Sequence, residues 1–600
     1  MTDPNWTFTA RLAGVLALLA PGFAFTETDR EADESAMRNA YFGELHVHTN
    51  LSFDAFTFGL RATPDDAYRY GKGEAIKHPF GYPIRLRGEP LDFVAVTDHA
   101  EYLGVAIALA DPGSELGNHP LGKKMQTGKL MERMGVYLAL RADRPSGQSA
   151  PMLDAAKIIR SGWQQTIDAA ERHNDPGRFT TLVAYEYSSA PGGANLHRNV
   201  IFASADVPEI PFSAMDSPNP EALWNWLDQQ RAKGIEALAI PHNSNWSQGK
   251  MFERTNWAGE PIDAAYAEQR LRNEPLVEIT QIKGTSETHP ALSPNDEWAD
   301  FEIWRNSKSV PGSPSLVEGA KTGAYVRDAL RAGLEMEQET GANPYRFGFI
   351  GSSDSHNAAA PVEEDQYFGK DRAIPQPMPE WGASGLAGVW AEENTRQSIY
   401  AALRRKETFA TSGPRIRVRF FAGYEYADDL PKRRDAAQLA YAGGVSMGGE
   451  LAVRGASSPK FLVWAARDPQ GVWLQRAQIV KGWIDSSGKS QERVFDVGCS
   501  DGVLPDPKTH RCPDNGAKVN LNDCSTTLDK GDVELRTVWR DPTFDPAQRS
   551  FYYARVLQNP TCRWTTWDAI AEGVEPAPEM AATIQERAWS SPIWMAPADG

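Results

Sequence analysis

The residues best suited to chemistry in this 600-residue chain are histidines and carboxylates that close apolar, strand-like runs. His46 and His48 stand two apart near the end of FGELHVHT, and because side chains of a strand alternate between its faces, both imidazoles point the same way. Asp354 and His356 repeat this spacing at the end of FGFIGSSDSH. Two such pairs predict a site for divalent cations, which imidazole and carboxylate groups commonly bind.

Three further strand-like runs end in a side chain of the same kind. His99 closes DFVAVTDH, Glu186 lies near the end of FTTLVAYEYS, and His242 follows EALAIP. The carboxyl ends of parallel strands meet on one face of a barrel, so five separate strands would bring ligands to one rim. A lone histidine supports no such argument, and a structural role is the simpler interpretation of His78, His119, His173, His289 and His510.

Positioning these side chains requires alternating strands and helices, and the sequence has this pattern between about residues 41 and 409. The apolar runs, LVEIT among them, are too apolar for a sheet with one solvated face, so they predict strands buried on both faces. Segments 154–173, 221–233 and 316–339 carry the pattern of crossover helices. The predicted fold class is therefore α/β, with a TIM-like barrel over residues 40–412.

The pattern changes after residue 412. Short alternating runs such as KFLVWAARD and RSFYYARVLQ are separated by turn-rich segments, which predicts an all-β, sandwich-like domain over residues 413–600. All the cysteines lie in this part, and their spacing lacks the Cys-x-x-Cys pairs of a zinc site. They predict one or two disulfides of undetermined connectivity, with unpaired buried thiols as the alternative; the four are Cys499, Cys512, Cys524 and Cys562.

Charge and composition narrow the classes of function. The formal net charge is −17, so a surface that binds nucleic acid is not expected. No apolar run reaches the roughly 18 residues of a membrane span. Residues 1–24 resemble a secretory signal, since a short apolar stretch follows Arg11 and small residues stand at Gly22 and Ala24; an N-terminal core helix is the alternative. Together with the cysteines, this predicts a periplasmic or secreted protein, and the sequence does not indicate its oligomeric state.

The motifs resemble those of a known superfamily. An early His-x-His (His46, His48), a strand that ends in Asp98-His99, and a late Asp-x-His (Asp354, His356) are similar to the PHP (polymerase and histidinol phosphatase) superfamily of metal-dependent phosphoesterases. More narrowly, YFGELHVHTNLSFDAFTFG, TDHAEYLG, GSSDSHN, ATSGPR, FYYARVLQNP and AWSSPIW resemble the DUF3604 family. The resemblance covers nearly the whole chain after the signal and implies an irregular, TIM-like (β/α)7 barrel.

The resemblance also implies a trinuclear metal centre. The first metal would be bound by His46, His48, Glu186 and Asp354, the second by Glu186 as a bridge with His197 and His242, and the third by His99, His356 and Asp54. Asp98 would face away from His99 and orient a ligand histidine. These ligand types suit Zn²⁺, Mn²⁺ or Fe²⁺, so two or three divalent transition-metal ions are the expected cofactors.

The charge of such a centre favours an anionic substrate. Three divalent cations and three carboxylates leave a surplus of about three positive charges within a strongly negative protein. A small phosphate ester fits this surplus, and metal-activated water with a pKa near 7 would hydrolyse it. Arg198, beside His197, and Lys283, just beyond LVEIT, are candidates to bind the phosphate, with an ordinary solvated charge as the alternative. The expected activity is that of a metal-dependent phosphoric ester hydrolase.

Two other functions stay open on the sequence. An amidohydrolase-like enzyme would keep the metals and cleave a non-phosphate bond, although no obvious strand lysine is present for carbamylation. A non-catalytic envelope protein would have a degenerate barrel and bind a partner through its β domain. Segment 104–150 is long enough to form a lid over the site. Further candidates for the pocket are Glu278, Asn50, Asn243 and Arg415.

Overall fold

The computed structural model of the protein describes residues 38–141, 155–304, 322–368, 380–576 and 578–596. The predicted secretory signal, residues 1–24, lies outside the described residues. Among the described residues, no helix combines the length and the apolar character needed to cross a bilayer.

The helices of the described residues alternate with strands in the first two thirds of the chain. In chain order they are α1 Phe53–Phe58, α2 Pro64–Gly71, α3 Val105–Ala110, α4 Pro120–Gln126, α5 Leu130–Arg141, α6 Ala156–His173, α7 Pro220–Arg231, α8 Ala264–Asn273, α9 Val326–Thr340, α10 Arg396–Arg405, α11 Ala436–Gly443 and α12 Trp564–Glu572.

The strands fall into two groups along the chain. The first group is β1 Asn39–Val47, β2 Ile76–Lys77, β3 Pro83–Ile84, β4 Phe93–Val96, β5 Thr180–Leu182, β6 Ala184–Tyr187, β7 Arg198–Phe202, β8 Ala237–Pro241, β9 Leu276–Gln281, β10 Gly284–Thr285, β11 Gly348–Gly351, β12 Leu386–Ala391 and β13 Thr408–Thr411. The second group is β14 Arg417–Gly423, β15 Gly444–Ser446, β16 Glu450–Ala452, β17 Lys460–Ala466, β18 Leu474–Ile484, β19 Ser490–Cys499, β20 Glu534–Arg540, β21 Ser550–Gln558, β22 Thr561–Cys562, β23 Thr583–Ile584, β24 Arg587–Ser590 and β25 Ile593–Ala596.

The crossover helices form within the predicted segments for local reasons. Helix α6 buries Ile159, Trp163 and Ala170, whose spacing places them on one face. Helix α7 begins where the side chain of Asn219 accepts a hydrogen bond from the backbone of Glu221, with proline at the first helical position. Helix α9 ends at Gly341, which has a left-handed backbone with φ of 75°.

A mixed sheet of eleven strands holds β1. Its main path runs β16-β25-β21-β24-β13-β12-β1-β4-β5, and β18 joins it by pairing with β21 and β19. Strand β1 is parallel to β4 and antiparallel to β12, and β13 is antiparallel to β24. Strands from both sides of residue 412 therefore share one sheet.

The predicted closed barrel is not formed by the described residues. Val183 separates β5 from β6, and β6 belongs to a separate antiparallel sheet, β6-β7-β8. Strand β7, which the sequence analysis did not identify, lies between β6 and β8 and prevents them from pairing with each other. Parallel β9 and β11 form a third sheet with β10. The α/β class is thus confirmed, but three sheets stand where one ring of strands was expected.

The ends of these strands still meet, although the ring is open. Parallel bridges join Val47 to Ser355 and His99 to Glu186, which brings the end of β1 to the end of β11 and the end of β4 to the end of β6. An apolar core lies beneath this rim and includes Leu45, Ala95, Leu182, Ile240 and Ile350. Burial of this shared core holds strands of different sheets at one level.

The C-terminal part is rich in β-structure, but it also contains helices α11 and α12, so it is not all-β as predicted. A four-stranded antiparallel sheet, β15-β14-β17-β20, contributes to one apolar core with β18, β19 and β21, and the ring centres of Phe461 and Tyr552 are 4.4 Å apart in that core. Two disulfides, Cys499–Cys512 and Cys524–Cys562, confirm the prediction of one or two. They close loops of 13 and 38 residues and so restrict the unfolded chain.

A buried ion network connects the segment after β10 with helix α9 and strand β21. Arg555 donates two hydrogen bonds to Asp296, at 2.7 and 2.9 Å, and Arg327 donates a third at 2.9 Å. Arg327 also pairs with Glu287, whose carboxylate accepts a hydrogen bond from the hydroxyl of Tyr553 at 2.7 Å. Burial alone would raise the pKa of Asp296, but the two guanidinium groups outweigh it and hold this pKa far below its usual range.

Candidate metal centre

The site begins with two histidines and one carboxylate at the ends of strands β1 and β11. His46 is the second-last residue of β1, His48 directly follows the strand, and both are fully buried. Asp354 follows β11 with φ of 55°, a left-handed conformation that aspartate tolerates better than bulky residues do. Its backbone N–H donates to the carbonyl of His46 at 2.8 Å, so the two strand ends are held together.

Four of the predicted ligands converge on one point. Nε2 of His48 lies 3.1 Å from Oε2 of Glu186 and 3.2 Å from Oδ1 of Asp354. Nε2 of His46 lies 3.5 and 3.4 Å from the same two oxygens. Ligand atoms of all four residues lie within 4.8 Å of one another, and each residue is buried. This is the set that the sequence analysis assigned to the first metal.

Glu186 also reaches three other histidines. Its Oε1 contacts Nδ1 of His197 and lies 3.2 Å from Nε2 of His242, while Oε2 lies 3.3 Å from Nδ1 of His99. His99, Glu186 and His197 form a second group whose ligand atoms could hold one ion. This group has His99 where the resemblance implied His242, which instead groups with His46 and Glu278. Glu186 belongs both to this group and to the first one.

Asp54 contacts both histidines with which the resemblance groups it, His99 and His356. It sits in α1, and its Oδ2 is 3.1 Å from Nε2 of His99 and 3.0 Å from Nε2 of His356. His48, His99 and His356 also form a group with ligand atoms within 4.8 Å of one another. The structure thus brings all nine predicted ligands into one continuous cluster.

Hydrogen bonds set the tautomers of the two β1 histidines. Nδ1 of His46 lies 3.0 Å from a carboxylate oxygen of Glu278, which can only accept, so this nitrogen carries the proton. Nδ1 of His48 lies 2.8 Å from the hydroxyl of Ser52, and that hydroxyl donates to Asp98 at 2.7 Å. Ser52 therefore accepts from His48, so in both histidines Nδ1 is a donor and Nε2 is the nitrogen that faces the carboxylate oxygens.

His356 and His99 follow the same arrangement. Nδ1 of His356 lies 3.1 Å from the carbonyl oxygen of Asp354 and must donate to it. Nδ1 of His99 contacts the hydroxyl of Ser188, which itself donates to Glu186 at 3.2 Å. Their Nε2 lone pairs then face Asp54, and two electron-rich atoms near 3 Å repel unless a cation or a proton lies between them.

The three carboxylates of the cluster are held in their ionised form. Burial would raise the pKa of each, but the histidines around Glu186 and Asp54 outweigh it and lower both pKa values well below their usual range. At Asp354, Lys283 and His46 lower the pKa in the same way. Ionised carboxylates are the form that binds a cation.

The histidines divide into two kinds. Burial lowers the pKa of His197 to about 4 and also lowers that of His242, although Glu186 acts in the opposite direction. For His46, burial lowers the pKa, but the carboxylates of Asp354 and Glu278 outweigh it and raise the pKa well above its usual value. A divalent cation would replace the proton that such a histidine otherwise retains.

Asp98 is connected to the ligand His48 through the hydroxyl of Ser52. Its Oδ1 accepts from the hydroxyl of Ser52 at 2.7 Å and from the backbone of Thr49 at 2.6 Å, and its Oδ2 accepts from the hydroxyl of Thr49 at 2.6 Å. Asp98 thus orients His48 through Ser52, which is the kind of role that the sequence analysis expected.

Asp98→Asn is expected to weaken binding of transition metal by about 10- to 100-fold, because an amide holds Ser52 and His48 less firmly than a carboxylate does. A competition titration against a chelator measures this affinity. Asp168→Asn, on the exposed face of α6, serves as the control and should leave the affinity unchanged. Equal affinities in the two variants would contradict the orienting role of Asp98.

Two of the other predicted pocket residues, Arg198 and Arg415, lie away from the cluster. Arg198 does not reach the cluster: its Nε donates to Glu274 at 2.8 Å and its side chain is buried there, because β7 alternates its side chains between two faces. Arg415 also lies elsewhere, with its guanidinium on backbone oxygens of Glu89 and Pro90. Arg198 is therefore not placed to bind a phosphate at the cluster, and the prediction for this residue is wrong.

Lys283 and Glu278 both join the cluster. The ammonium of Lys283 contacts Oδ2 of Asp354, and the amide of Gln281 donates to the same oxygen at 2.9 Å. Glu278, His46 and His242 have ligand atoms within 4.8 Å of one another. Asn243, directly after His242, is buried in a left-handed conformation with φ of 52°.

Several supporting residues escaped the sequence analysis. Glu44 accepts hydrogen bonds from the backbone of His46 at 2.8 Å and from Ser352 at 2.6 Å, so it ties β1 to the end of β11. Side chains two residues apart lie on the same face of a strand, and this spacing, which identified His46 and His48, also applies to Glu44 and could have identified it. Ser52 and Ser188 carried no such signal, because their contacts depend on tertiary structure.

The described part of segment 104–150 packs beside the centre. It forms α3, α4 and α5, and Tyr137 of α5 stacks on Phe53 with ring centres 6.0 Å apart. The ring of Phe53 is 5.4 Å from that of His99. Tyr137 of this segment therefore contacts the candidate ligand His99 indirectly, through Phe53 of α1.

The chain is similar to a described protein family and to one solved structure. A family model described as "Protein of unknown function (DUF3604)" matches residues 35–597. No curated protein matches the chain. Among solved structures, it is similar to a two-domain protein from Bacteroides vulgatus that contains a predicted PHP-like metal-dependent phosphoesterase. The sequence identity is 11%, the TM-score is 0.31, and the match covers 92% of this chain and 95% of that chain.

Proposed function

The chain belongs to DUF3604, a family of unknown function, so its activity has to be inferred from the site, and we propose that it is a metal-dependent phosphoesterase. The proposed reaction is hydrolysis of a phosphate ester by water, which yields an alcohol or phenol and phosphate.

One observation supports this proposal above the others. Nε2 of His46, Nε2 of His48 and Oε2 of Glu186 are buried and have no hydrogen-bond partner among the described residues. The two nitrogens lie 3.5 and 3.1 Å from that oxygen, and the ligand atoms of this group lie within 4.8 Å of one another. Leaving buried polar atoms unsatisfied costs roughly 1–3 kcal/mol each. A divalent cation would satisfy all three at once, and these donor types fit it.

We assign two or three divalent transition-metal ions to the cluster, with Zn²⁺, Mn²⁺ and Fe²⁺ as the candidates. The residues proposed to hold them are His46, His48, Glu186 and Asp354; His197 and His242 with Glu186; and His99, His356 and Asp54. The two disulfides agree with an oxidising compartment, and we propose that the protein is exported to the periplasm or beyond.

When bound, such ions acidify water and neutralise charge on a phosphoryl group. The protein's own residues supply the rest. Asp98 and Glu278 fix the tautomers of His48 and His46, so that their lone pairs stay directed at the ions. The surrounding burial lowers the local dielectric constant, which strengthens attraction between the cluster and an anion.

Metal analysis and hydrolase assays test the proposal together. The full-length protein should retain at least two equivalents of transition metal after purification. It should release nitrophenol from an aryl phosphate, lose this activity in chelator and regain it with Zn²⁺, Mn²⁺ or Fe²⁺. Turnover of an aryl amide without any turnover of phosphate esters would overturn the proposal, as would fewer than two bound ions.

A further inference from the structure

Lys283 is held at the tip of a tight hairpin. Gln281 of β9 pairs with Gly284 of β10, so Ile282 and Lys283 form the loop, and Gly284 directly after it has a φ of 93°, which glycine adopts without strain. The backbone N–H of Lys283 donates to the side chain of Gln281, and its carbonyl accepts from Asn245, both at 3.1 Å. The backbone from which the side chain extends is therefore fixed from both sides.

The side chain of Lys283 brings a positive charge to the cluster. Its ammonium contacts Oδ2 of Asp354, and it lies 5.9 Å from the centre of the Trp246 ring. The ammonium is thus kept near the candidate metals by a carboxylate and an aromatic face. A lysine with rotatable donors can turn toward an incoming anion while it remains close to Asp354.

Lys283 also lies on the side of the cluster that solvent reaches. Its side chain is 16% exposed, and three candidate ligands are exposed to a similar extent: His356 at 17%, Asp54 at 13% and His197 at 13%. The other contacting ligands are more deeply buried, with His46 and His48 at 0%. A substrate would therefore approach past these four residues, each of which is less than one-fifth exposed.

Shape and charge together favour one class of phosphate ester. A monoester has one substituent, which can point toward solvent while the phosphate faces the largely buried cluster, whereas a diester has two substituents to accommodate. A monoester also carries close to two negative charges near neutral pH, because its second pKa is about 6, whereas a diester carries one. The attraction to a fixed ammonium grows with the charge of the anion.

We propose that Lys283 binds the phosphate of the substrate and makes the centre selective for dianionic phosphomonoesters over phosphodiesters, an inference that rests on the proposed function. Lys283 then acts on the substrate in addition to holding Asp354. The two roles can be separated because Gln281 holds the same oxygen of Asp354, at 2.9 Å, through a neutral amide.

The experiment compares Lys283→Met with Gln281→Met in the metal-loaded, full-length protein. The substrates are p-nitrophenyl phosphate and bis-p-nitrophenyl phosphate, and bound metal is counted in every sample. The unmodified protein should prefer the monoester. Lys283→Met should lower kcat/KM for the monoester by about 10- to 100-fold and that for the diester far less, the range expected for a hydrogen bond between charged groups. Gln281→Met removes the amide from Asp354 and also frees the backbone N–H of Lys283, so it should lower both activities, but it should retain the preference for the monoester because the ammonium is still present.

Lys283→Arg keeps the charge and should retain the preference for the monoester, which separates loss of charge from loss of folding. Equal losses on both substrates in Lys283→Met, or a preference of the unmodified protein for the diester, would overturn the inference and leave the phosphoesterase intact. Failure of the unmodified protein to hydrolyse either ester would instead overturn the proposed function.

Discussion

Glu186→Gln is expected to lower kcat/KM for phosphate esters by at least about a thousand-fold and to remove most of the bound metal, a loss of about 4 kcal/mol in transition-state stabilisation. Glu186 is the residue on which the centre converges, since its two oxygens contact five histidines. A neutral amide removes the negative charge and replaces one acceptor oxygen by a donor, so it cannot bridge two cations. The loss should appear both in steady-state assays and in metal analysis.

The matched control is Glu268→Gln, because the side chain of Glu268 is 80% exposed on α8. This variant should retain full activity and full metal content. Both variants should show the circular dichroism spectrum of the unmodified protein and its elution volume in size-exclusion chromatography. The reason is that Glu186 belongs to the site and not to the apolar core. If Glu186→Gln keeps its metal and its activity, the assignment of the centre fails.

Asp296→Ala is expected to lower the free energy of unfolding by about 3–5 kcal/mol, because it leaves two buried guanidinium groups without their main partner. Asp296 accepts three hydrogen bonds from Arg555 and Arg327, and both arginines are fully buried. Glu287 would then be the carboxylate that both guanidinium groups share, and Glu492 would remain 3.5 Å from Arg327. Urea denaturation monitored by tryptophan fluorescence measures the change.

A surface pair of the same chemistry provides the comparison. Arg433 donates two hydrogen bonds to Asp435, both at 2.9 Å, but the two side chains are 47% and 43% exposed. Asp435→Ala should change stability little, because water replaces the lost partner. An equal effect of the two substitutions would show that the buried network does not hold β21 to the segment after β10.

Contacts across residue 412 also reach the strand that leads to Asp354. Strand β24 pairs with β13, and Ser591 donates through its hydroxyl to the backbone of Thr408 at 2.7 Å while accepting from the backbone of Phe349 at 2.9 Å. Phe349 belongs to β11, the strand that leads to Asp354. The C-terminal residues therefore support the strand that carries a candidate ligand, and the change of pattern near residue 412 does not reveal this.

Much of the candidate site could be predicted from local spacing. The period of two brought His46 and His48 to one side of a strand, and apolar runs that end in His, Glu or Asp indicated which strand ends to combine. The resemblance to known motifs then added Asp54 and His197, whose contacts with His99, His356 and Glu186 local pattern could not predict. Arg198 illustrates the limit, because its neighbour His197 joins the cluster while Arg198 turns to Glu274.

The amino-acid pattern sufficed for the strands themselves, the crossover helices and the chemical types at the strand ends, because alternation and helical spacing are properties of neighbouring residues. It could not predict that β7 would separate β6 from β8, or that β24 would join the sheet of β1. Strand pairing depends on contacts between residues far apart in the chain, and many pairings satisfy the same local preferences. The partners of Ser52, Lys283 and Asp296 are of this kind, and they depend on packing of the whole molecule.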